Sequence, residues 1–436
     1  MKVRLLVSIA ILITAFSNCK KHDFPDHTPK KYSADVANAW MQLHIKLTRT
    51  TAGYNSVVSD RSFGYAGITL YEALYPGIPG SKSLLSQIGG SAVIPDKTKE
   101  KYFWPASVNA AMATITKNFF ESTSPANKIT IDSMEAAFTA QFKNESDADK
   151  IQNAAAYGQK VAAAIFEWSK TDGGHEAYKH IVDPAYVPPA GPGLWIPTPP
   201  AFGPAILPHW GDNRSFIVNS AKLTQPDPPL SYSEDVKSPF YQMVNELYTI
   251  SLSLSHEDST IAKFWGDQPG NLNVPAHATN ILTQLIVNSK MDLSEAVAAY
   301  ALHGIAVNDA IISNFKTKYK YNLIRPVSYI RNVMLKTTWN SVLPNPPTPE
   351  YSAAHATVSS ASATVLEKIF GKDYKFTDHT YDNSYDIRSF NSFEEYAKEA
   401  GRSRLLAGIH YSPSISAGLE QGRKIGDMVN KLQVKN

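Results

Sequence analysis

The chain has a single cysteine, Cys19, among 436 residues, and its net charge is small. One thiol cannot form an intramolecular disulfide, so the fold must be stabilised by burial of apolar side chains. A formal charge of +3 without a long basic run argues against a nucleic-acid partner. The 43% hydrophobic and 19% charged residues indicate an ordinary globular protein, either one large domain or two packed halves.

Several common catalytic and membrane signals are also missing. The sequence contains no G-x-S-x-G elbow, which excludes the corresponding class of serine hydrolases. It lacks H-E-x-x-H and cysteine pairs, which argues against a zinc site. Beyond the N-terminal segment no run of about 18 uninterrupted apolar residues occurs, so we expect the mature chain to meet a membrane only through a lipid.

The first nineteen residues have the pattern of a targeting segment. Lys2 and Arg4 provide the positive start, residues 5–16 are a short apolar core, and Cys19 follows two small polar residues. This arrangement resembles a bacterial lipoprotein signal with Cys19 as the acylated residue, although Phe16 is less usual than Leu at its position. The alternative is an ordinary secretory signal in which the cysteine is incidental.

On the lipoprotein interpretation the mature chain begins at Cys19, and residues 20–33 form a polar tether. Lys20 and Lys21 follow the acyl site without an acidic export patch. We therefore expect a lipid-anchored protein of the bacterial cell envelope, at the periplasmic face of the outer membrane.

The rest of the sequence predicts an all-α, multi-helix bundle. Apolar residues recur at three- and four-residue spacing in the following segments: 34–51, 59–75, 108–120, 127–143, 148–169, 276–314, 352–370, 392–408 and 413–433. Residues 34–182 form an N-terminal helical half and residues 232–436 a C-terminal half. Between them, residues 183–231 contain twelve prolines together with Trp195 and Trp210. Because disordered segments are poor in aromatic residues, we expect this connection to be ordered and to pack over the helices, where it can wall an active site.

Three pieces of the C-terminal half carry residues suited to an anion. Lys318 and Arg325 are seven residues apart, nearly two helical turns, so they are expected on one helix face before Pro326. Ser352 fits an N-cap, which would leave the amides of residues 353–355 free beside the imidazole of His355. A third piece has the pattern S-R-x5-H. Taken singly, each piece is more often structural than functional.

That third piece contains Arg404 and His410. A helix is expected to carry Arg404 and to finish near Gly408, with His410 exposed in the turn and Ser412 starting the next helix. In order and spacing, the pieces K-x6-R-P, a histidine at a helix start and S-R-x5-H together resemble the superfamily of vanadium haloperoxidases and type 2 phosphatidic acid phosphatases. The resemblance covers about residues 276–431, and the helical N-terminal half resembles the haloperoxidase-like branch.

The resemblance implies a role for each of these residues. Lys318, Arg325 and Arg404, with the backbone amide of Ala354, bind the oxygens of vanadate or phosphate. His410 is the ligand to vanadium, or the nucleophile toward phosphorus. His355 is the general acid and base.

Two positions depart from the family pattern. The residue before Ala354 is usually a serine whose hydroxyl binds the oxyanion, and here it is Ala353. Four residues beyond His410 the family often has an aspartate that orients the histidine, and here it is Ser414. An acidic partner for Arg404 or His410 is expected elsewhere, with three candidates that the sequence does not rank: Asp258, Asp267 and Asp309.

Three functions follow as alternatives. The first is a vanadate-dependent haloperoxidase that oxidises halide with hydrogen peroxide, and the second is a cofactor-free phosphomonoesterase acting through phospho-His410. The third is an envelope lipoprotein that binds an anion without turnover. The substrate in the first two cases is a small molecule, and the sequence does not indicate the oligomeric state. His277 and His303, which lie in helical segments, are expected to be buried.

Overall fold

The computed structural model of the chain describes residues 28–89, 92–98, 100–267 and 271–434. Within these ranges the chain forms fourteen α-helices and one two-stranded sheet, which confirms the predicted all-α class. The predicted signal segment, Cys19 and residues 20–27 lie outside the described residues.

Five helices precede the proline-rich segment and match the five segments predicted by the apolar periodicity. They are α1 (Asp35–Thr50), α2 (Ser56–Glu72), α3 (Trp104–Phe119), α4 (Pro125–Phe142) and α5 (Ala148–Ser169). The short α6 (Ser220–Leu223) lies inside the proline-rich segment. It is followed by α7 (Pro239–Ser251), α8 (His256–Phe264), α9 (Val274–Asn288), α10 (Leu293–Tyr321), α11 (Pro326–Asn332), α12 (Ala354–Phe370), α13 (Phe393–Leu406) and α14 (Ser412–Val429). Between α12 and α13, β1 (Phe376–Asp378) pairs antiparallel with β2 (Arg388–Phe390).

The helical run predicted over 276–314 is two helices, α9 and α10. The break follows from a strong start signal at Asp292, whose carboxylate accepts a hydrogen bond from the amide of Glu295 at 3.0 Å. Glu295 in turn accepts one from the amide of Asp292 at 3.1 Å, which completes a capping box. Just before it, Lys290 has a φ of +51°, which ends α9 sharply.

Helix α10 lies at the centre of the fold, in contact with α2, α9, α12 and α14. Glycine permits the close crossing of α2 and α10, because a Cβ at Gly67 of α2 would lie 2.4 Å from the carbonyl oxygen of Tyr300. Among the described helices only α10 is long and apolar enough to cross a bilayer, and 94% of its most apolar window is buried inside the protein. Such burial is typical of a core helix.

The proline-rich segment is ordered and packs on the helical body, as expected. The amide of Trp195 donates to the carbonyl of Asn322 at 2.6 Å, directly after α10. Further along, the amide of Ile206 donates to the carbonyl of Pro347 at 3.2 Å, and the hydroxyl of Tyr351 donates to the carbonyl of Asp227 at 2.7 Å. The segment therefore braces the backbone on both sides of the loop that precedes α12.

Residues 28–33, at the end of the predicted tether, lie against the helices. The ring of Tyr32 packs edge-on against Phe103 with centroids 5.2 Å apart, and its carbonyl accepts from the amide of Leu293 at 2.9 Å. The chain is thus attached to the start of α10 before α1 begins.

Candidate oxyanion site

Lys318 and Arg325 lie in the same buried region but not on one helix face, so that expectation is wrong. Helix α10 ends at Asn322, whose φ of +46° places it in the left-handed region, and Arg325 is the N-cap of α11. The side chains nevertheless converge on one loop. Lys318 Nζ donates to the carbonyls of Pro349 and Glu350 at 2.9 and 3.0 Å. Arg325 Nε donates to the carbonyl of Thr348 at 2.9 Å.

The start of α12 also differs in part from the expectation. Ala353, not Ser352, is the N-cap, and no side chain caps the helix. Ser352 points away from the helix start because its hydroxyl donates to Gln421 Oε1 at 2.6 Å and accepts from Asn314 Nδ2 at 2.9 Å. The first helical residues are then Ala354 and His355, whose amides have no acceptor within the helix.

Ser352 therefore cannot replace the hydroxyl that is missing at Ala353. The backbone amide of Ala353 is also engaged, since it donates to the carbonyl of Ser414 at 3.1 Å. The helix end that faces the site thus offers the amides of Ala354 and His355, with the positive end of the helix dipole behind them.

The third piece is built largely as expected. Arg404 lies in the last turn of α13, Gly408 has a φ of +77°, and His410 precedes α14. The carbonyl of Arg404 accepts from the amides of Ile409 and His410 at 3.1 and 3.3 Å, which fixes the turn. His410 is buried at 3% exposure, so the prediction that it is exposed is wrong.

A carboxylate that the sequence analysis did not assign holds His410. Glu350 is fully buried, and its Oε1 lies 2.9 Å from His410 Nδ1. The same carboxylate accepts from the amide of Tyr411 at 3.0 Å and from the hydroxyl of Ser414 at 2.6 Å. Ser414 thus acts together with an acid from a different loop. The sequence signal was a lone acidic residue between Pro349 and Tyr351, directly before the histidine helix.

The neighbours of His410 select one tautomer. Arg325 Nη1 lies 3.2 Å from His410 Nε2, and a guanidinium has only donors, so Nε2 must be the unprotonated nitrogen. Nδ1 then carries the proton and donates to Glu350. Burial lowers the pKa of His410 well below its usual value, and the charges of Arg325 and Lys318 act in the same direction. His410 is therefore neutral, with the lone pair of Nε2 facing the cations.

Of the three candidate acids, only Asp267 lies at the site. Its Oδ1 is 3.2 Å from Nε2 of His355, although among the described residues no group is aligned to hydrogen-bond that nitrogen. Asp258 instead pairs with Arg402 at 3.0 Å. Asp309 accepts from the amides of Phe216 and Ile217 and from Ser220. These contacts make Asp258 and Asp309 structural.

Arg404 contacts α8 and faces both histidines. Its Nη2 donates to the carbonyl of Ala262 at 3.1 Å, and its Nε donates to Ser403 Oγ at 2.9 Å. Burial lowers the pKa of His355, and the charge of Arg404 adds to this effect while Asp267 opposes it. Arg404 also lowers the pKa of His410, which places the three pieces in one electrostatic unit.

Basic side chains outnumber the carboxylates in this unit. Burial lowers the pKa of Arg325 and of Arg404 to about 10, so both are charged at neutral pH. The pKa of Lys318 is lowered well below its usual value, first by burial and then by Arg325. Among the described residues, the carboxylates beside these three basic side chains are Glu350 and the partly exposed Asp267. An oxyanion bound here would add negative charge beside the basic side chains, and the neutral His410 Nε2 would fit an electrophilic vanadium or phosphorus.

No cluster of three or more histidine, cysteine or acidic residues suited to a metal ion occurs in the part of the chain that the structure describes. The donor set around His410 differs from such a cluster because it consists of cations and amides. This chemistry suits vanadate, an anion bound through its oxygens and one histidine, and it suits phosphate equally.

Comparison with known proteins agrees with this chemistry. Residues 298–435 match the family model described as the second helical-bundle domain of VCPO. The chain is similar to a structure described as the first bacterial vanadium-dependent iodoperoxidase, at 29% identity and a TM-score of 0.82, covering 93% of this chain and 98% of that one. A holo-type bacterial vanadium-dependent chloroperoxidase shares the fold at 15% identity and a TM-score of 0.68, covering 88% of this chain and 93% of that one.

A search of curated proteins finds no match to this chain. The family model and the structural matches nevertheless agree with the motifs. They support the superfamily of vanadium haloperoxidases and type 2 phosphatidic acid phosphatases for this chain, which has the haloperoxidase helical fold.

Proposed function

We propose that this protein is a vanadate-dependent peroxidase that oxidises a halide with hydrogen peroxide. The observation that carries the proposal is the convergence of three buried basic side chains on a neutral histidine, whose unprotonated nitrogen, His410 Nε2, lies 3.2 Å from Arg325 Nη1. The similarity to a bacterial iodoperoxidase supports the same activity.

Lys318, Arg325 and Arg404 would hold the oxygens of vanadate, with the amide of Ala354, and His410 Nε2 would be the ligand to the metal. Bound vanadate supplies a Lewis-acidic centre that activates hydrogen peroxide toward a two-electron oxidation of halide. For the vanadate to bind, Arg325 must give up its contact with His410 Nε2. Its other hydrogen bonds, to Thr348 and Ile409, keep the guanidinium in place.

In this proposal His355 is the general acid and base. The overall reaction converts halide, hydrogen peroxide and one proton to hypohalous acid and water, so a proton must be delivered at the site. His355 is the titratable group beside the helix amides, and its Nε2 lies next to Asp267. Asp267 can exchange protons with solvent because its side chain is 32% exposed.

The first halide to test is iodide, because the more similar structural relative is an iodoperoxidase and iodide is the most easily oxidised of the three common halides. We would measure triiodide formation by the full chain with hydrogen peroxide, with and without orthovanadate, and then repeat the assay with bromide. Vanadate-dependent oxidation that is lost in His410→Ala is the expected result. His44→Ala is the matched control, since His44 is also buried but lies on α1 beside Ser62.

A phosphomonoesterase is the second candidate, and the hydrogen bond from His410 to Glu350 favours it. In that reaction His410 Nε2 attacks phosphorus, the ester P–O bond breaks, and His355 protonates the departing alkoxide. Water then hydrolyses the phosphohistidine. If halide oxidation is absent, turnover of a phosphate ester without vanadate would support this candidate. Oxyanion binding with neither activity would leave an anion-binding protein.

We also propose that the chain is acylated at Cys19 and anchored at the periplasmic face of the outer membrane. The basis is the arrangement of basic start, short apolar core and cysteine within residues 1–19. Metabolic labelling with a fatty acid is the test. The label is expected in the wild-type chain and not in Cys19→Ser, and label in neither protein would contradict the proposal.

A further inference from the structure

The buried indole of Trp265 lies directly after α8, where the chain turns toward His355. Two groups of this short stretch raise the pKa of His355: the carboxylate of Asp267, whose Oδ1 lies 3.2 Å from its Nε2, and the backbone carbonyl of Trp265. One turn earlier, the carbonyl of Ala262 accepts from Arg404. The end of α8 thus supplies acceptors to two of the site residues, although it contains none of the sequence motifs.

Two groups from other elements hold the indole. Its ring is stacked on His277 of α9, with centroids 4.6 Å apart and planes inclined by 22°. Its Nε1 donates to Glu399 Oε1 of α13 at 2.9 Å. Trp265 is therefore fixed between α9 and the same helix that carries Arg404. We call Trp265, His277, Glu399 and Asp378 the indole clamp.

The two residues that contact the indole, His277 and Glu399, are each held by a further side chain. Asp378 Oδ2 lies 2.6 Å from His277 Nε2, both residues are buried, and Asp378 also accepts from the amide of Thr380 at 2.9 Å. Glu399 receives two hydrogen bonds from Arg388, at 2.5 and 2.6 Å. A buried hydrogen bond between His277 and Asp378 and a half-buried ion pair between Glu399 and Arg388, on opposite sides of one indole, leave it little freedom to tilt.

We propose that the indole clamp positions the acceptors of His355, so that Trp265 and His277 are positioning residues for proton transfer although neither reaches the oxyanion. Within the described residues, the Asp267 carboxylate has no neighbour at ion-pair distance except His355. Its placement therefore depends on the backbone that the clamp fixes. The inference rests on the proposed function, because it assumes that His355 moves a proton during turnover.

The experiment is a double-mutant cycle on the full chain, with Trp265→Phe, His355→Ala and the double variant. If the clamp acts through His355, Trp265→Phe lowers kcat roughly tenfold or more in the wild-type background and has no further effect when His355 is already absent. Vanadate affinity, measured by titration calorimetry, should remain within about twofold. Lys318, Arg325 and His410 are held by other elements, and the acceptor of Arg404 is the carbonyl of Ala262 inside α8, one turn before Trp265.

A second readout does not need turnover. In proton NMR the His355 resonance is identified by its loss in His355→Ala, and its titration is followed in the presence of phosphate. Displacement of the carbonyl at position 265 and of Asp267 away from the imidazole should lower the pKa of His355 in Trp265→Phe. Trp40→Phe is the matched control, since Trp40 is buried and its indole nitrogen also donates to a side chain, Asn109 Oδ1, at 2.8 Å.

His277→Gln keeps a donor for Asp378 but removes the stacked ring, and it replaces Trp265→Phe if that variant does not fold. Equal losses of kcat in the wild-type and His355→Ala backgrounds, or an unchanged pKa of His355, would overturn the clamp while leaving the proposed function intact. Full activity of His355→Ala would overturn the clamp and the proton role of His355 while leaving the peroxidase activity in place. Absence of vanadate-dependent activity in the wild type would instead overturn the proposed function, and unchanged activity in His410→Ala would overturn its location at the oxyanion site.

Discussion

At the scale of single residues, Glu350 is the residue that the structure adds to the site with the largest expected effect on activity. It combines the roles of orienting His410 and balancing the charge of Lys318 and Arg325. We predict that Glu350→Gln lowers kcat/KM by roughly 10- to 100-fold, because Gln offers His410 Nδ1 a weaker acceptor and leaves the cations less balanced. Steady-state kinetics of folded protein, checked by circular dichroism, measure the loss.

The matched control for this variant is Glu72→Gln. Glu72 is also fully buried and accepts from Ser83 and from the amides of Leu84 and Leu85, but it lies outside the oxyanion site. It should change stability without changing kcat/KM. If the two variants lose activity equally, Glu350 has no specific role.

Asp60 leads to a second prediction for a single residue, which concerns the pH dependence of stability. It is fully buried on α2, and among the described residues neither carboxylate oxygen has a hydrogen-bond partner. Burial raises its pKa well above the usual value, and the charge of Asp267 adds to the effect. The folded state therefore keeps a proton that the unfolded state releases, so stability falls as the pH rises above the unfolded pKa of about 4.

Asp60→Asn removes this linkage. We predict that the variant and the wild type have similar melting temperatures near pH 4, and that the variant becomes increasingly the more stable one toward neutral pH. Asp309→Asn is the contrast, because Asp309 is equally buried but accepts hydrogen bonds from two amides and from Ser220. That variant should lose about 1–3 kcal/mol of stability at neutral pH. A parallel pH dependence of wild type and Asp60→Asn would contradict the account.

At the scale of elements, the sequence predicted the helices better than their ends. Periodicity located α1 to α5 because apolar residues recur at three- and four-residue spacing in each, even in α2, which is buried on nearly all sides. It could not show that α10 stops at Asn322, since Lys318 to Arg325 reads as continuous helix until the left-handed residue is known. It also could not assign Glu350 or Trp265 to the site, because their partners are 60 and 90 residues away in sequence. A sequence pattern relates only residues that lie within a few helical turns of each other.

The crossing of α2 and α10 yields a prediction about stability. A Cβ at Gly67 would lie 2.4 Å from the carbonyl oxygen of Tyr300, which is backbone and cannot rotate away. Gly67→Ala should therefore cost about 1–3 kcal/mol, despite the higher helix propensity of alanine. Urea denaturation measures the change. Gly203→Ala is the control, since its nearest neighbour, Pro347 Cβ, would be 3.8 Å away, and a stable Gly67→Ala would show that the helices can separate.

At the scale of the whole molecule, the site is assembled from elements far apart in the chain around one central helix. Helix α10 supplies Lys318, the turn before α14 supplies His410, and the end of α8 supplies the acceptors of His355. The motifs predicted the three basic residues and both histidines, because the spacing of the family motifs is retained in this sequence. The sequence did not show that Glu350 takes the place of the acid expected at position 414, because only the fold brings the loop before α12 beside His410.

The most direct test of this account is a crystal structure of the protein soaked with orthovanadate, with His410→Ala soaked in parallel. The account predicts vanadium density at His410 Nε2, with Lys318, Arg325 and Arg404 on its oxygens and Arg325 displaced from the imidazole. No density should appear there in His410→Ala. Vanadate bound elsewhere, or a wild-type site that stays empty at saturating vanadate, would contradict the assignment of these residues to the oxyanion site.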